Sequence, residues 1–208
     1  MADLPWDRWP DELASVFSRV PSYLMADRRD RGEFLRTFFR RYEGATVEGI
    51  ERLVEESVSE IMLQKVSAAA IRRIREHRAA GHRTMMITAA AEPFVQPLAP
   101  LFDEVIAARL EVRDGAYTGY LAEPPLVGEA RGAWVRRYAE LEGADLKASY
   151  AYADSHSDLA LLRAVGNPVA VSPDAALLRV AKRRRWPIEE WQMSGGMPRV
   201  RFPKPAVR

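Results

Sequence analysis

The sequence predicts an α/β protein in which a helical cap precedes a three-layer core built on a parallel sheet. Through residues 1–81, apolar side chains recur at the spacing of amphipathic helices. Through residues 82–192, short apolar runs alternate with helical segments, and this alternation is typical of a parallel, doubly wound sheet. Residues 193–208 carry Gly, Pro and Arg and are expected to form a loose tail.

The first part is expected to be helical throughout. Helical periodicity covers residues 11–20, 31–42, 46–58 and 67–80. Thr46 is expected to cap the third of these helices, because its hydroxyl can accept a free N–H of the first turn. An aromatic stripe on the second helix is interpreted as core, and a lipid or acyl pocket is the less favoured alternative. The stripe consists of Phe34, Phe38, Phe39 and Tyr42.

After Gly81 the pattern changes to strands joined by helices. Strands are predicted at residues 83–87, from 105, at 148–153, at 169–171 and at 188–191. Helices are predicted at residues 93–101, at 131–142, from 158 and at 174–185. Asp114-Gly115 lies between two alternating runs and predicts a β-hairpin, because this dipeptide accepts the positive φ angles of a tight turn.

The composition excludes several classes of protein. No cysteine is present, which rules out disulfide scaffolds, thiolate zinc sites and cysteine nucleophiles. The net charge is only +2 and arginines are interspersed with acids, so a nucleic-acid surface is not favoured, although an RNA binder stays a weak alternative. The sequence has no apolar run long enough to span a membrane and no signal-peptide pattern at its start, and a cytoplasmic location is expected.

Two aspartates follow the apolar run of residues 148–153 directly. Asp154 and Asp158 would stand at the carboxyl end of a buried strand, where open α/β sheets bind their ligands. Carboxylates on such a loop suit a hard cation such as Mg²⁺. The alternative is a helix cap formed by Asp154 or Ser155. The metal site is favoured, because one cap does not need two acids.

Two further strand ends or helix starts carry groups that suit an anion. Thr88 and the main-chain amides of Ala89 and Ala90 lie where a strand is expected to turn into a helix, and a hydroxyl with free N–H groups suits a phosphate oxygen. An ordinary threonine cap is the alternative. Arg131 opens the next predicted helix and could reach the same anion with two parallel N–H groups.

The three histidines are weaker candidates. His77 and His82 flank Gly81 and are expected to face solvent at a helix end. His156 lies between the two aspartates and could touch a substrate. A zinc site is disfavoured, because no second histidine is spaced to join it.

These residues together resemble the haloacid dehalogenase superfamily, in particular its phosphoserine-phosphatase-like subclass with a helical cap. Residues 87–90 resemble the second motif of that family, and residues 127–131 resemble the third, with arginine where lysine usually stands. Residues 152–159 and 164–174 resemble the fourth motif, and the hairpin at residues 108–119 also resembles this subclass. The resemblance runs from about residue 31 to residue 191.

The resemblance implies a Rossmann-like core and a role for each motif residue. Thr88 would bind the transferring phosphoryl group, and Arg131 would replace the family's lysine with reduced efficiency. Asp154 would bind Mg²⁺, and Asp158 would support the site through the metal's waters or through Arg131. The activity implied is Mg²⁺-dependent phosphoryl transfer from a small organic phosphate, and members also occur fused to acyl-reductase or acyltransferase domains.

The nucleophile of the resembled family is missing from this sequence. It normally lies in an Asp-x-Asp-x-Thr motif at the end of the first strand, and no such motif is present. The early aspartates lack an apolar strand before them; they are Asp3, Asp7, Asp11, Asp27 and Asp30. We therefore expect a core without its central first strand, an internal start at Met1 and little activity. The alternative is a catalytically dead interaction or regulatory module.

Overall fold

The computed structural model describes residues 31–191, and the predicted helix at residues 11–20 and the tail at residues 193–208 lie outside this part of the chain. The helices are α1 (Arg31–Phe39), α2 (Val47–Leu53), α3 (Ser59–Lys65), α4 (Ala68–Ala79), α5 (Glu92–Val95), α6 (Glu129–Glu142), α7 (Leu159–Ala164) and α8 (Ala175–Arg184). Short 3-10 segments cover Arg40–Tyr42, Gln96–Leu101 and His156–Asp158, and Val54–Val58 forms a π-helical turn.

The strands form three separate groups. They are β1 (Met85–Ala91), β2 (Glu104–Ala108), β3 (Leu110–Arg113), β4 (Ala116–Leu121), β5 (Tyr150–Ala153), β6 (Asn167–Val171) and β7 (Ile188–Glu189). β1 pairs with β2 in parallel, β3 pairs with β4 as a hairpin, and β5, β6 and β7 form a parallel sheet in that order. The predicted α/β architecture is confirmed, and within residues 31–191 no strand pairs with the second edge of β1 or of β5.

Local sequence signals explain most of the element ends. Thr46 accepts the Gly49 N–H at 3.1 Å and begins α2, as predicted. Ser67 accepts the Ala69 N–H at 3.2 Å and begins α4. Asp114 and Gly115 both have positive φ, 51° and 76°, which is the geometry of the tight hairpin turn that the sequence predicts.

Two hydrophobic clusters hold the described part together. The first joins the cap helices to the hairpin and to the end of β1; its members include Leu35, Phe39, Tyr42, Ile50, Leu110 and Tyr117. The aromatic stripe of α1 is therefore core, as interpreted from the sequence. The second cluster lies between β5, β6 and the helices α7 and α8; its buried members are Ala151, Leu162, Ala170, Leu177 and Ala181.

Helix α4 contacts both parallel sheet fragments. Arg78 binds Asp103, which precedes β2, at 3.1 Å, and Arg73 binds Glu189 of β7 at 2.6 Å. These contacts place α4 against the core strands, although the sequence grouped it with the cap. Among the described helices, none has the length and apolar character that crossing a membrane requires.

Candidate functional site

Asp154 lies at the carboxyl end of β5 with its side chain exposed. Its carboxylate makes no hydrogen bond or ion pair with any residue between 31 and 191. The main-chain oxygen of Asp154 accepts the Asp174 N–H at 2.8 Å, which joins this strand end to the start of α8. The side chain of Asp154 is thus available for a ligand, while its backbone is fixed.

The helix cap predicted as the alternative is made by Ser155. Its hydroxyl accepts the Ser157 N–H at 3.3 Å at the start of the short 3-10 segment. The cap therefore does not use the Asp154 carboxylate, so the cap and a ligand role for Asp154 are compatible.

Asp174 holds the loop that follows Asp154. One carboxylate oxygen accepts the N–H groups of Ala176 at 2.9 Å and Leu177 at 2.8 Å, which caps α8. The other accepts the His156 N–H at 2.9 Å and the Ser155 hydroxyl at 3.2 Å. Burial raises the pKa of Asp174, but these hydrogen bonds outweigh it and hold the pKa below its usual range.

Sequence reasoning assigned Asp174 no part in the site. A serine and a proline before it and an apolar helical run after it are the signals of a cap, but they do not reveal the bonds to residues 155 and 156.

Asp158 and Arg131 form a buried ion pair. Arg131 is 7% exposed and Asp158 is 9% exposed. Nη1 of Arg131 donates to Oδ1 of Asp158, and Nε of Arg131 donates to the Leu126 carbonyl at 3.0 Å. Of the two partners predicted for Asp158, the arginine is therefore the one that it contacts.

A close approach of two helices positions this ion pair. Gly132, beside Arg131 on α6, lies so close to Ala160 of α7 that an added Cβ would be 2.8 Å from the Ala160 carbonyl oxygen. The absence of a side chain at residue 132 lets α6 and α7 meet next to the pair.

Thr88 lies within β1, because this strand continues past the predicted end at Ile87 to Ala91. The register with β2 shifts between Ile87 and Ala91, where the strand turns toward α5. The Thr88 hydroxyl accepts the Ala90 N–H at 3.1 Å. The prediction that this amide is free is wrong; a ligand would have to displace the Thr88 hydroxyl, and the binding roles of Ala89 and Ala90 stay predictions.

The structure brings together only some of the predicted residues by direct contact. Asp158 contacts Arg131, and Asp154 lies one strand end away on the same loop. Thr88 lies in the other parallel sheet fragment, and no hydrogen bond within residues 31–191 joins its side chain to Asp154, Asp158 or Arg131. Within the described part, no group of three or more acidic or histidine side chains is arranged as a metal site.

The prediction that His77 faces solvent is wrong. Its Nε2 lies 2.8 Å from the Tyr152 hydroxyl, and its Nδ1 lies 2.9 Å from Nδ1 of His82. Partial burial, and then the neighbouring His82 and Arg73, lower the pKa of His77. Tyr152 in turn stacks on Trp191, with ring centroids 5.5 Å apart. Contacts across 75 residues of sequence carry no local signal that could have predicted them.

Comparison with known proteins identifies the family. The family model for haloacid dehalogenase-like hydrolases matches residues 2–163. A probable phosphatase of Mycobacterium tuberculosis is 31% identical over 198 residues, covering 94% of this chain and 68% of that protein. The inhibition of morphological differentiation protein of Streptomyces azureus is 36% identical over 151 residues, covering 70% of this chain and 53% of that protein. This chain thus spans between about half and two thirds of these relatives.

Solved structures agree with this assignment. A protein of unknown function from Bordetella pertussis Tohama I superposes with a TM-score of 0.71 at 25% identity, covering 86% of this chain and 79% of that one. A phosphoserine phosphatase, solved as an analogue of its phospho-aspartyl intermediate, shares the fold with a TM-score of 0.64 at 18% identity, covering 88% of this chain and 81% of that one. The chain therefore belongs to the haloacid dehalogenase-like hydrolases and resembles the phosphatases among them.

Proposed function

We propose that this chain binds a small organic phosphate together with Mg²⁺ at the carboxyl ends of β1 and β5. The observation that carries the proposal is the buried Arg131–Asp158 pair beside the exposed, unpaired carboxylate of Asp154. A buried cation held by a single carboxylate suits a site for a phosphate, because the charge is fixed in position and shielded from water.

The residues at this strand end fit Mg²⁺ as a partial ligand set. Mg²⁺ keeps several waters and is commonly held by one or two carboxylates together with substrate phosphates. Asp154 would supply a direct carboxylate, and Asp158 would act through Arg131 or through a bound water. Bound Mg²⁺ would offset the negative charge on the phosphate oxygens.

The main-chain geometry gives Asp174 a positioning role. Its carboxylate fixes the N–H of His156 and the hydroxyl of Ser155, so the loop after Asp154 is held before any ligand arrives. Thr88 would donate its hydroxyl to the phosphate from the end of β1. His156, exposed on the same loop, stays a weaker candidate for substrate contact.

Complete phosphoryl transfer requires a nucleophile that the printed sequence does not provide in the expected form. In the proposed reaction an aspartate oxygen attacks phosphorus, the substrate oxygen leaves with a proton, and water then hydrolyses the aspartyl phosphate. Without an Asp-x-Asp-x-Thr motif we propose that this chain, as printed, binds its ligand with little or no turnover. The same absence favours a second candidate function, a non-catalytic binding or regulatory module.

Metal binding tests the site without requiring turnover. The chain is titrated with Mg²⁺ while tryptophan emission is followed, because Trp191 stacks on Tyr152, two residues before Asp154. We expect a saturable response that Asp154→Asn abolishes. Asp114→Asn is the matched control: it makes the same chemical change in the hairpin turn, where asparagine tolerates the φ of 51°. An undiminished response in Asp154→Asn would refute the site.

Hydrolysis of an aryl phosphate with Mg²⁺ tests the activity. We expect turnover close to that of buffer alone. Efficient turnover that Asp154→Ala abolishes would show that the chain contains its own nucleophile and would reject the proposed inactivity. Fusion to an acyl-reductase or acyltransferase domain stays a prediction.

A further inference from the structure

A cavity of about 530 Å³ lies where the cap meets the carboxyl end of β1. Its walls come from α2 and the π-helical turn, from the start of α5 and from the hairpin strands. Glu92, which opens α5 and lines this cavity, follows Thr88 by four residues. The cavity therefore opens beside the strand end that carries the predicted phosphate-binding threonine.

The charge of the cavity is negative. Glu51, Glu55 and Glu92 line it, and none of the three has an ion-pair or hydrogen-bond partner within residues 31–191. Glu48 on the same helix, by contrast, binds Arg52 at 2.7 Å. No lysine, arginine or histidine of the described part lines the cavity. The unpaired carboxylates make this an attractive location for a cation.

A buried hydroxyl points to a ligand independently of these carboxylates. Tyr117 lines the cavity, is only 6% exposed, and its hydroxyl has no hydrogen-bond partner within the described residues. Burial raises the pKa of Tyr117, and the charges of Glu51 and Glu92 raise it further. The hydroxyl therefore lies within electrostatic reach of two acids of the cavity. Buried hydroxyls are normally hydrogen-bonded, so its missing partner is most simply a bound molecule.

The remaining lining is apolar. Val54 and Leu110 are buried and form part of the wall. Val54 also begins the π-helical turn, an irregularity that occurs frequently at functional sites. An occupant therefore needs an apolar segment as well as a positive charge.

We propose that this cavity binds the cationic end of the substrate, an ammonium group on a short aliphatic chain, and that the substrate class is an aminoalkyl phosphate. The assignment of substrate class rests on the proposed function, whereas the cation site itself does not. The ammonium group donates to the carboxylates of Glu51 and Glu92 and to the Tyr117 hydroxyl oxygen. A carboxylate-bearing phosphate is disfavoured, because it would meet three like charges here.

A phosphate-free pair of probes tests the cation site. Binding of n-hexylammonium is compared with binding of n-hexanol by ligand-observed NMR; the two share their chain and differ in charge. We expect the ammonium to bind roughly tenfold more tightly, because charge-assisted hydrogen bonds exceed neutral ones by about this factor. Equal affinity of the two probes would overturn the proposal.

Paired charge-removal variants separate local from general electrostatics. Glu51→Gln combined with Glu92→Gln should reduce the preference for the ammonium to about twofold or less. The control combines Glu48→Gln with Glu56→Gln, which removes the same charge from exposed positions outside the cavity and should leave the preference intact. Equal loss in both double variants would show only a general field effect and reject the site.

A second comparison, made with Mg²⁺, separates this inference from the proposed function. 6-Aminohexyl phosphate should bind more tightly than hexyl phosphate, and both should weaken in Asp154→Asn. Hexyl phosphate that depends on Asp154 without any gain from the amine would overturn the substrate class and leave the proposed function standing. Phosphates insensitive to Asp154→Asn would reject the proposed function and the substrate class together, even where n-hexylammonium still prefers the cavity.

Discussion

At the scale of single residues, the candidate site is a contrast between a buried pair and an exposed acid. Arg131 and Asp158 are both largely withdrawn from water, so their charges persist only because each compensates the other. Asp154, four residues earlier, is exposed and unpaired among the described residues. One aspartate is thus committed to the protein and the other is open to a ligand.

The buried pair should be sensitive to the loss of one partner. Asp158→Asn leaves a buried guanidinium without its counter-charge and should lower the free energy of unfolding by about 3 kcal/mol, measured by urea denaturation. Glu140→Gln removes one partner of an exposed pair on the same helix, Arg137–Glu140, and should change it by less than about 0.5 kcal/mol. Similar effects of the two substitutions would contradict the assignment of a buried, mutually dependent pair.

The sequence predicted which residues form the pair but not which groups they bind. The spacing of Asp154 and Asp158 after an apolar run placed both at the end of β5, because strand and helix periodicity are local properties. The bond from Asp158 to Arg131 spans 27 residues, and the bonds from Asp174 to the preceding loop span 18 and 19. Such contacts depend on tertiary packing, which no local pattern encodes.

At the scale of secondary structure, the packing of α6 on α7 fixes the site. Both helices begin close to site residues, α6 at Glu129 and α7 directly after Asp158. Gly132 allows their backbones to approach at that point. The position of Arg131 relative to Asp158 therefore depends on a residue that has no side chain.

Gly132→Ala tests this dependence with opposing expectations. Helix propensity alone would stabilise the variant by about 1 kcal/mol. The new Cβ would lie 2.8 Å from both the Cβ and the carbonyl oxygen of Ala160, so we expect net destabilisation of about 2 kcal/mol in thermal or urea unfolding. Adding Ala160→Gly should restore only part of the loss, because the carbonyl contact persists. A stabilised single variant would show that the helices can separate freely.

Element boundaries were predictable where a local chemical signal exists. Thr46 and the Asp114-Gly115 turn lie where the sequence placed them, because caps and turns depend on neighbouring residues. The π-helical turn at Val54–Val58 and the extension of β1 to Ala91 were not predicted. Both are departures from regular geometry, and the residues that form them are compatible with the regular alternative.

At the scale of the whole molecule, the parallel strands are divided into two fragments. The sequence predicted a core without its central strand, and in residues 31–191 β1 and β5 each have one edge that no other strand pairs with. Helix α4 touches both fragments through Arg78 and Arg73. The two hydrophobic clusters divide in the same way, one with the cap and hairpin and one with β5 and β6.

Amide hydrogen exchange should reveal this division. β6 lies between β5 and β7 and is largely buried, so its amides should be the most protected among these strands. Half of the β1 amides point away from β2, and these should exchange at least roughly tenfold faster than the amide of Val169 in β6. Uniform protection along β1, equal to that of β6, would show that its second edge is covered in solution.

The contact between the two histidines links the fragments in a further way. Each neutral imidazole carries one N–H, so the 2.9 Å contact between Nδ1 of His77 and Nδ1 of His82 admits only one donor. If His77 donates there, its Nε2 must accept the Tyr152 hydroxyl proton; if His82 donates, the Nε2–H of His77 points to the tyrosine oxygen. Moving one hydrogen therefore reverses both bonds, and the end of α4 and strand β5 share a choice between two tautomers.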